Sequence, residues 1–254
     1  MRAFLIGLQF LTRISIVRQD NWTEEDFGRS VRYFPLIGAV LGIIYAFFAW
    51  LFFMFLPAQQ IFLPHHFCTV ILLVLPILLT GGLHCDGFMD TMDGVFSGRS
   101  RERMLEIMKD SRVGSNGVFA FGVLLLFNWA MLLDLDPMQL TAALFVMPII
   151  ARLMMMLVVT LFPYARPQGM GKAFAACATK KVLFFAFLYT LVLIFPAGWL
   201  GVLSLLTALC FTIYFARYVT RLLGGVTGDV YGATATISEA IVLFTFLAGS
   251  QFIR

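Results

Sequence analysis

Residues 139–162 read QLTAALFVMPIIARLMMMLVVTLF, and Arg152 is the only charged residue among them. A helix of 24 residues is about 36 Å long, which is enough to cross the ~30 Å hydrocarbon layer of a bilayer. This stretch therefore predicts a membrane-spanning helix. Six other apolar stretches are also candidate spans, at residues 35–56, 65–83, 117–133, 182–196, 199–216 and 237–253.

The composition of the whole chain supports the same interpretation. Of its 254 residues, 61% are hydrophobic and 13% are charged, whereas about 25% are charged in soluble domains. The polar side chains are too few to cover a globular surface in water, which excludes soluble, secreted, disordered and collagen-like proteins. We predict an all-α fold, a polytopic integral membrane bundle of about seven transmembrane helices that forms a single domain over residues 1–254.

The basic residues lie on one side of this predicted bundle. Lys and Arg concentrate in alternate connecting segments, which is the pattern of cytoplasmic loops. An odd number of spans with a cytoplasmic N-terminus fits this pattern, and it requires residues 182–196 and 199–216 to be two spans rather than one kinked helix. Residues 1–34 are then a cytoplasmic and interfacial segment that begins with an amphipathic helix. The basic residues of the four segments are Arg2, Arg13, Arg18, Arg29, Arg32; Arg99, Arg101, Arg103, Lys109, Arg112; Arg166, Lys172, Lys180, Lys181; and Arg217, Arg221, while Arg152 and Arg254 lie elsewhere.

The net charge and the cysteines exclude two further classes. A net charge of +4 is too small and too dispersed to predict nucleic-acid binding, so the lipid bilayer is the expected extended partner. Cys68, Cys85, Cys177 and Cys210 lack the paired spacing of a zinc site and are predicted to be free thiols.

An acidic block follows the second candidate span. In GGLHCDGFMDTMDGVFSGRS (residues 81–100), Asp86 and Asp90 are four residues apart, and Asp90 and Asp93 are three apart. On a helix that continues from this span, the spacings place all three carboxylates on one face. Because like charges repel near a low-dielectric boundary, a divalent cation such as Mg²⁺ or Mn²⁺ would hold them together. The alternative is a set of ordinary interface aspartates that are balanced by the basic residues at 99–103.

Basic residues near this block could bind phosphate. Lys109 and Arg112 flank Asp110 in KDSRVGSNG (residues 109–117), and they either clamp a phosphate or anchor the loop at the membrane. Arg152 needs an acidic or phosphate partner inside its apolar span. A structural salt bridge and a ligand contact are both open for it.

Two other polar features complete the candidate site. His84 precedes the acidic block and is expected to make a supporting hydrogen bond rather than to ligate a metal. The stretch GGVTGDVYGA (residues 224–233) carries Asp229, and Glu239 follows it. Both carboxylates are expected on the basic side of the bundle.

Together these stretches resemble the cobalamin synthase family, also called adenosylcobinamide-GDP ribazoletransferase. The resemblance rests on the acidic block, on RERMLEIMKDSRVGSNG and on GGVTGDVYGA. It extends to FLTR (residues 10–13), FPLIG (34–38) and ARPQGMG (165–171). Two positions depart from the family pattern, Cys85 and the stretch ISIV at 14–17, and neither includes a charged residue of the candidate site.

The resemblance implies a Mg²⁺-dependent transfer. A ribose hydroxyl of α-ribazole, or of its 5′-phosphate, would attack the cobinamide-side phosphate of adenosylcobinamide-GDP, and GMP would leave. It also implies a location in the bacterial cytoplasmic (inner) membrane, with a catalytic segment at 84–116 that faces the cytoplasm. Homo-oligomerisation and association with other corrinoid enzymes stay open.

The resemblance further implies roles for individual residues. Asp86, Asp90 and Asp93 would hold the metal, with Asp229 as a helper and Asp93 as the candidate general base. Groups around the substrate phosphates would be His84, Lys109, Arg112, Arg152 and Asp229, and Asp110 joins Lys109 and Arg112 among the candidate catalytic residues.

Two alternatives come from other classes. A phosphatidyltransferase that uses CDP-activated alcohols also places metal-binding aspartates at a helix end, but its Asp–Asp–Ala–Arg pattern is not matched by DGFMDTMDG. A transporter would use Arg152 and the carboxylates along a pathway. Transporters usually place such groups near the membrane midplane in repeated halves, and the acidic residues here lie mainly at one face.

Overall fold

The computed structural model describes residues 2–17 and 22–250, except for the side chain of Met170. This part of the chain is helical, with one isolated β-bridge between Tyr164 and Val226. The predicted all-α class is confirmed. The α-helices are α1 (Arg2–Leu11), α2 (Glu24–Arg29), α3 (Phe34–Trp50), α4 (Leu56–Ala58), α5 (His65–Thr80), α6 (Leu83–Val95), α7 (Arg101–Ile107), α8 (Ser115–Asp134), α9 (Pro137–Leu161), α10 (Met170–Cys177), α11 (Lys180–Ile194), α12 (Gly198–Leu223) and α13 (Gly228–Ser250), and a π-helical turn (Leu51–Phe55) joins α3 to α4.

Helix α9 is the centre of the bundle. Most of its residues are buried, and α3, α11, α12 and α13 pack around it. The closest approach is made by α3, where Gly38 lies against the carbonyl of Pro148 and Gly42 lies against the carbonyl of Phe145. A side chain at either glycine would overlap the backbone of α9, so these glycines set the distance between the two helices.

We expect Gly42→Ala to destabilise the bundle by about 1–3 kcal/mol, because the new methyl group would force α3 away from α9. The measurement is the thermal unfolding midpoint of the purified protein in detergent. Gly122→Ala is the matched control, since no atom lies within 4 Å of a Cβ at that glycine. Equal midpoints for both variants would contradict the packing role of Gly42.

Five helical segments of the described chain are long and apolar enough to cross a membrane, and the pair α5 and α6 gives a sixth candidate that is bent by 90°. The five are Glu24–Ala58, Ser115–Asp134, Pro137–Leu161, Lys180–Leu223 and Gly228–Ser250. The chain is therefore a helical polytopic membrane protein. Residues 251–253, at the end of the last predicted span, lie outside the described residues, as do Arg18 and Arg254.

The 44-residue segment Lys180–Leu223 reverses direction between α11 and α12. Gly198 has a φ of +60°, and the carbonyl oxygen of Ile194 lies 2.9 Å from the Cβ position of Gly201. Seven residues of straight helix would separate these groups by about 10 Å along the axis. The predicted turn between residues 196 and 199 is thus present, and the segment makes two passes. The bundle reaches the predicted seven when this hairpin counts as two spans and the bent pair as one.

The bend between α5 and α6 corrects one expectation. The acidic block does not continue the second span, because Gly81 and Gly82 have φ values of +62° and +74° and end α5. The left-handed conformation at both residues is one that glycine adopts without steric cost. Helix α6 leaves α5 at 90° and packs against the first turns of α13, and we treat α5 as the spanning part and α6 as lying outside the span.

The basic connecting segments meet at this same end of the bundle. Arg13 packs on Gly81, the Nε of Arg101 donates to the carbonyl of Leu223 at 2.7 Å, and Arg166 reaches the end of α7. The predicted one-sided charge is confirmed for these segments, and we call this end the basic end. All four cysteines are free, as predicted.

Candidate functional site

Helix α6 and the first turn of α13 bring carboxylates together at the basic end. Asp86 and Asp90 lie one turn apart on α6, and Asp229 lies in the first turn of α13. The two helices approach closely at Gly87, where a Cβ would be 2.8 Å from the carbonyl oxygen of Asp229. The chain could not bring Asp229 beside Asp86 and Asp90 if position 87 carried a side chain.

Arg166 joins this acidic group, although no sequence pattern predicts it as a site residue. The segment after α9 pairs with the segment before α13, because Ala165 donates to the carbonyl of Val226 at 2.8 Å. This pairing places the Nη2 of Arg166 2.8 Å from the Oδ2 of Asp229 and 3.4 Å from the carbonyl oxygen of Met108. The available signal was the ARPQGMG stretch, which carried the resemblance and contains a basic residue with no assigned role.

The electrostatics of the group favour a cation. Burial is the largest cause that raises the pKa of Asp90 to about 7. The negative charges of Asp86, Asp229 and Asp93 act in the same direction, and Arg166 acts against them. One guanidinium therefore does not neutralise the carboxylates that surround it, and a further positive charge would stabilise them.

Asp93 has hydrogen-bond partners of its own, and its predicted roles as metal ligand and general base stay predictions. Its side chain is buried, and its two carboxylate oxygens accept hydrogen bonds from the backbone N–H groups of Gly114 at 2.7 Å and Gly117 at 2.8 Å. These donors lie at the start of α8, where backbone N–H groups have no partner within the helix. Asp93 thus caps α8 from a neighbouring helix and anchors α6 to it.

We expect Asp93→Ala to lower stability by about 2 kcal/mol, because it leaves these two N–H groups without acceptors. Asp93→Asn is the matched variant that retains one acceptor oxygen, and its loss should be smaller. Both are measured as thermal unfolding midpoints in detergent. An Asp93→Ala midpoint equal to that of the unchanged protein would contradict the capping role.

In the predicted phosphate-binding segment 109–112, Arg112 is paired with the neighbouring Asp110. The Nε and Nη2 of Arg112 donate to the two carboxylate oxygens of Asp110 at 3.1 and 2.7 Å. These hydrogen bonds lower the pKa of Asp110 to about 2. Lys109 is exposed and directly follows Met108, the residue whose carbonyl contacts Arg166. Among Lys109, Asp110 and Arg112, Lys109 is therefore the residue nearest in sequence to the contact with Arg166.

Arg152 and Glu239 pair with each other across α9 and α13. The Nη1 of Arg152 donates to the Oε1 of Glu239 in an ion pair, and the Arg152 side chain is 0% exposed. Arg152 is therefore inaccessible to a phosphate, and the structural salt bridge is the alternative that holds. Glu239 lies inside α13 rather than on the basic face.

His84 is also buried, on the side of α6 that faces α13. Burial, followed by the charge of Arg152, holds the pKa of His84 well below its usual value. Within the described chain its Nε2 has no hydrogen-bond partner. Its predicted place among the phosphate-binding groups stays a prediction.

No three His, Cys, Asp or Glu side chains in residues 2–17 and 22–250 are already arranged around one metal ion. Mg²⁺ typically binds one or two carboxylates and completes its shell with substrate phosphates and water. The donors at the basic end fit this mode. Both described hydrogen bonds to Asp229 go to Oδ2, from Arg166 and from Thr227, so Oδ1 of Asp229 and the carboxylate of Asp90 are suitable oxygen donors.

One cavity borders the acidic group, and a second lies beside the residues that follow Arg166. One, of about 540 Å³, lies beside Asp86. The other, of about 670 Å³, lies between α2 and α10 and includes Pro167 and Gln168, which follow Arg166. Both volumes are in the usual range for small-ligand sites, roughly 300–1,000 Å³.

Comparisons with known proteins agree with this picture. The family model described as cobalamin-5-phosphate synthase matches residues 3–247. A protein of Desulfitobacterium hafniense (strain Y51), named adenosylcobinamide-GDP ribazoletransferase, is 40% identical over 96% of this chain and 95% of its own length. Proteins of the same name from Clostridium acetobutylicum and Desulforamulus reducens are 34% and 40% identical, over 99% and 97% of this chain and 98% and 96% of their own lengths. No solved structure gives a significant match.

Proposed function

Because the chain belongs to the cobalamin-5-phosphate synthase family and is a transferase of cobalamin synthesis, we propose that it joins adenosylcobinamide-GDP to α-ribazole or α-ribazole 5′-phosphate. The observation that carries this proposal is the meeting of Asp86, Asp90, Asp229 and Arg166 at the basic end. A diphosphate substrate needs carboxylates that hold a cation and basic groups that stabilise its charge.

The reaction is a displacement at phosphorus. A ribose hydroxyl forms a new O–P bond to the cobinamide-side phosphate, the bridging P–O bond of the diphosphate breaks, and GMP leaves with the bond electrons. The family description names cobalamin-5-phosphate as the product. A phosphate retained at ribose position 5 implies that a different ribose hydroxyl is the nucleophile.

The residues of the site take separate roles in this proposal. Asp90 and Asp229 would hold Mg²⁺, which neutralises charge on the diphosphate when it is bound. Asp86 is exposed and borders a cavity, so we assign it as the acceptor of the hydroxyl proton. Arg166 and Lys109 would stabilise the charge that develops on the leaving phosphate.

The location proposed is the bacterial cytoplasmic membrane, with the basic end in the cytoplasm. The support is the concentration of Lys and Arg in the connecting segments at this end, because such segments are retained on the cytoplasmic side. The nucleotide-bearing substrate would then reach the carboxylates directly from the cytoplasm.

The test is product analysis with the purified protein. We expect adenosylcobinamide-GDP, α-ribazole 5′-phosphate and Mg²⁺ to give GMP and a cobalamin product in equal amounts. EDTA should stop GMP release, and added Mg²⁺ should restore it. A transporter would release no GMP, and a lipid synthase would instead release CMP from a CDP-activated lipid. Either result would overturn the proposed function, and GMP release in EDTA would remove the metal from it.

A further inference from the structure

The cavity beside Asp86 has an unusual set of walls. The FLTR stretch at the end of α1 supplies Phe10 and Arg13, the α5–α6 bend supplies Gly81, and α6 supplies Asp86. Phe121 of α8 forms part of the opposite wall. The cavity is thus mostly apolar, with one carboxylate and one guanidinium as its charged groups.

Arg13 is fixed in place at this cavity by its backbone. Its N–H donates to the carbonyl of Leu79 at 2.7 Å, and its guanidinium lies against Gly81, where a Cβ would overlap the Nε atom. The side chain is exposed. None of the ion pairs or hydrogen bonds of the described residues involves the guanidinium, so it presents an unneutralised charge to the cavity.

The apolar part of the cavity continues towards the interior of the bundle. Ile77, Thr80, Cys85 and Phe121 also border a second, smaller space of about 50 Å³ between α5, α6, α8 and α13. An occupant of the larger cavity can therefore place an apolar group against Ile77 and Phe121 while its polar end stays near Arg13.

We propose that this cavity binds the acceptor nucleotide and that Arg13 binds its 5′-phosphate. The inference rests on the proposed function. α-Ribazole 5′-phosphate has an apolar bicyclic base, a ribose with hydroxyl groups and a phosphate, which match the apolar wall, Asp86 and Arg13 in turn. The cavity volume of about 540 Å³ suits a mononucleotide, whereas a corrin ring with its side chains is far larger.

Arg13 does not take part in the displacement. The 5′-phosphate remains in a cobalamin-5-phosphate product, so its ligand contributes binding and acceptor choice rather than chemistry. Arg166 pairs with Asp229 and does not line this cavity, and it is the guanidinium that we assign to the diphosphate. The two arginines therefore have distinct phosphates to bind.

The test compares two acceptors on the Arg13→Gln variant. We expect the KM for α-ribazole 5′-phosphate to rise by roughly 10- to 100-fold, as for the loss of a charge-assisted hydrogen bond. The KM for α-ribazole, which lacks the phosphate, should change less than about twofold on the same scale. Arg13→Lys should recover part of the preference, and Arg99→Gln, an exposed arginine elsewhere at the basic end, is the matched control.

A variant in the apolar wall of the cavity provides a second, independent test. Phe121→Leu should raise the KM for both acceptors by the same factor, because the base is common to them. Equilibrium binding of α-ribazole 5′-phosphate without the second substrate provides a readout that does not depend on turnover. Equal effects of Arg13→Gln on the two acceptors, or none on either, would overturn the inference. Absence of GMP release by the unchanged protein would instead overturn the proposed function.

Discussion

Asp90→Asn is expected to reduce GMP release by roughly 100- to 1,000-fold, the scale on which loss of one electrostatic catalytic group acts. Asp90 lies among Asp86, Asp229 and Arg166, and in the proposed reaction it holds the cation that the diphosphate needs. The amide has the same shape but lacks the negative charge. The expected defect is therefore in turnover at saturating substrate, measured as the initial rate of GMP release.

The control for Asp90→Asn is Glu106→Gln. Glu106 is an exposed acid at the basic end that pairs with Arg103, and its loss should leave turnover unchanged. Unfolding midpoints in detergent establish that both variants are folded. Full turnover of Asp90→Asn at saturating Mg²⁺ would remove Asp90 from the site, and the assignment of Asp229 as its partner ligand would fall with it.

Arg152→Met is expected to have the largest effect on stability, about 3–5 kcal/mol, because it leaves Glu239 buried without its partner. The ion pair joins the central helix α9 to α13, which carries Asp229 at its start. The measurement is the unfolding midpoint in detergent together with the yield of folded protein from membranes.

A double variant keeps the Arg152 prediction testable if the single variant fails to fold. Arg152→Met with Glu239→Met removes both charges, and replacing a buried pair by apolar groups is often neutral or stabilising. We expect the double variant to recover most of the lost stability. A double variant as unstable as Arg152→Met alone would show that the guanidinium contributes through contacts other than Glu239.

The membrane-spanning helices were predictable from the sequence, because helices in a lipid bilayer need long apolar stretches. Because each span must satisfy its backbone hydrogen bonds internally and carry apolar side chains, hydropathy locates spans such as 139–162 without knowledge of their neighbours. The placement of Arg13, Arg101 and Arg166 at one end also follows from the sequence, since loop charge decides orientation. The turn at Gly198 followed from the same charge argument.

The candidate site was only partly predictable, because its geometry depends on tertiary contacts. Spacing along α6 correctly grouped Asp86 with Asp90. It could not show that the carboxylate of Asp93 would accept hydrogen bonds from the backbone at the start of α8. Nor does a local pattern show that Arg166, remote in sequence, lies against Asp229. The 90° bend had a local signal in the pair Gly81–Gly82, whose positive φ values require no side chain.

The ion pair between α9 and α13 also has a consequence for biosynthesis. Its two residues are 87 positions apart, which corresponds to roughly 4–17 seconds of translation at ~5–20 residues per second. During that interval the newly inserted central segment holds an arginine whose counter-charge has not yet left the ribosome, at a cost of about 2.5–3.5 kcal/mol. Completion of the last segment therefore supplies the counter-charge of this arginine and removes that cost.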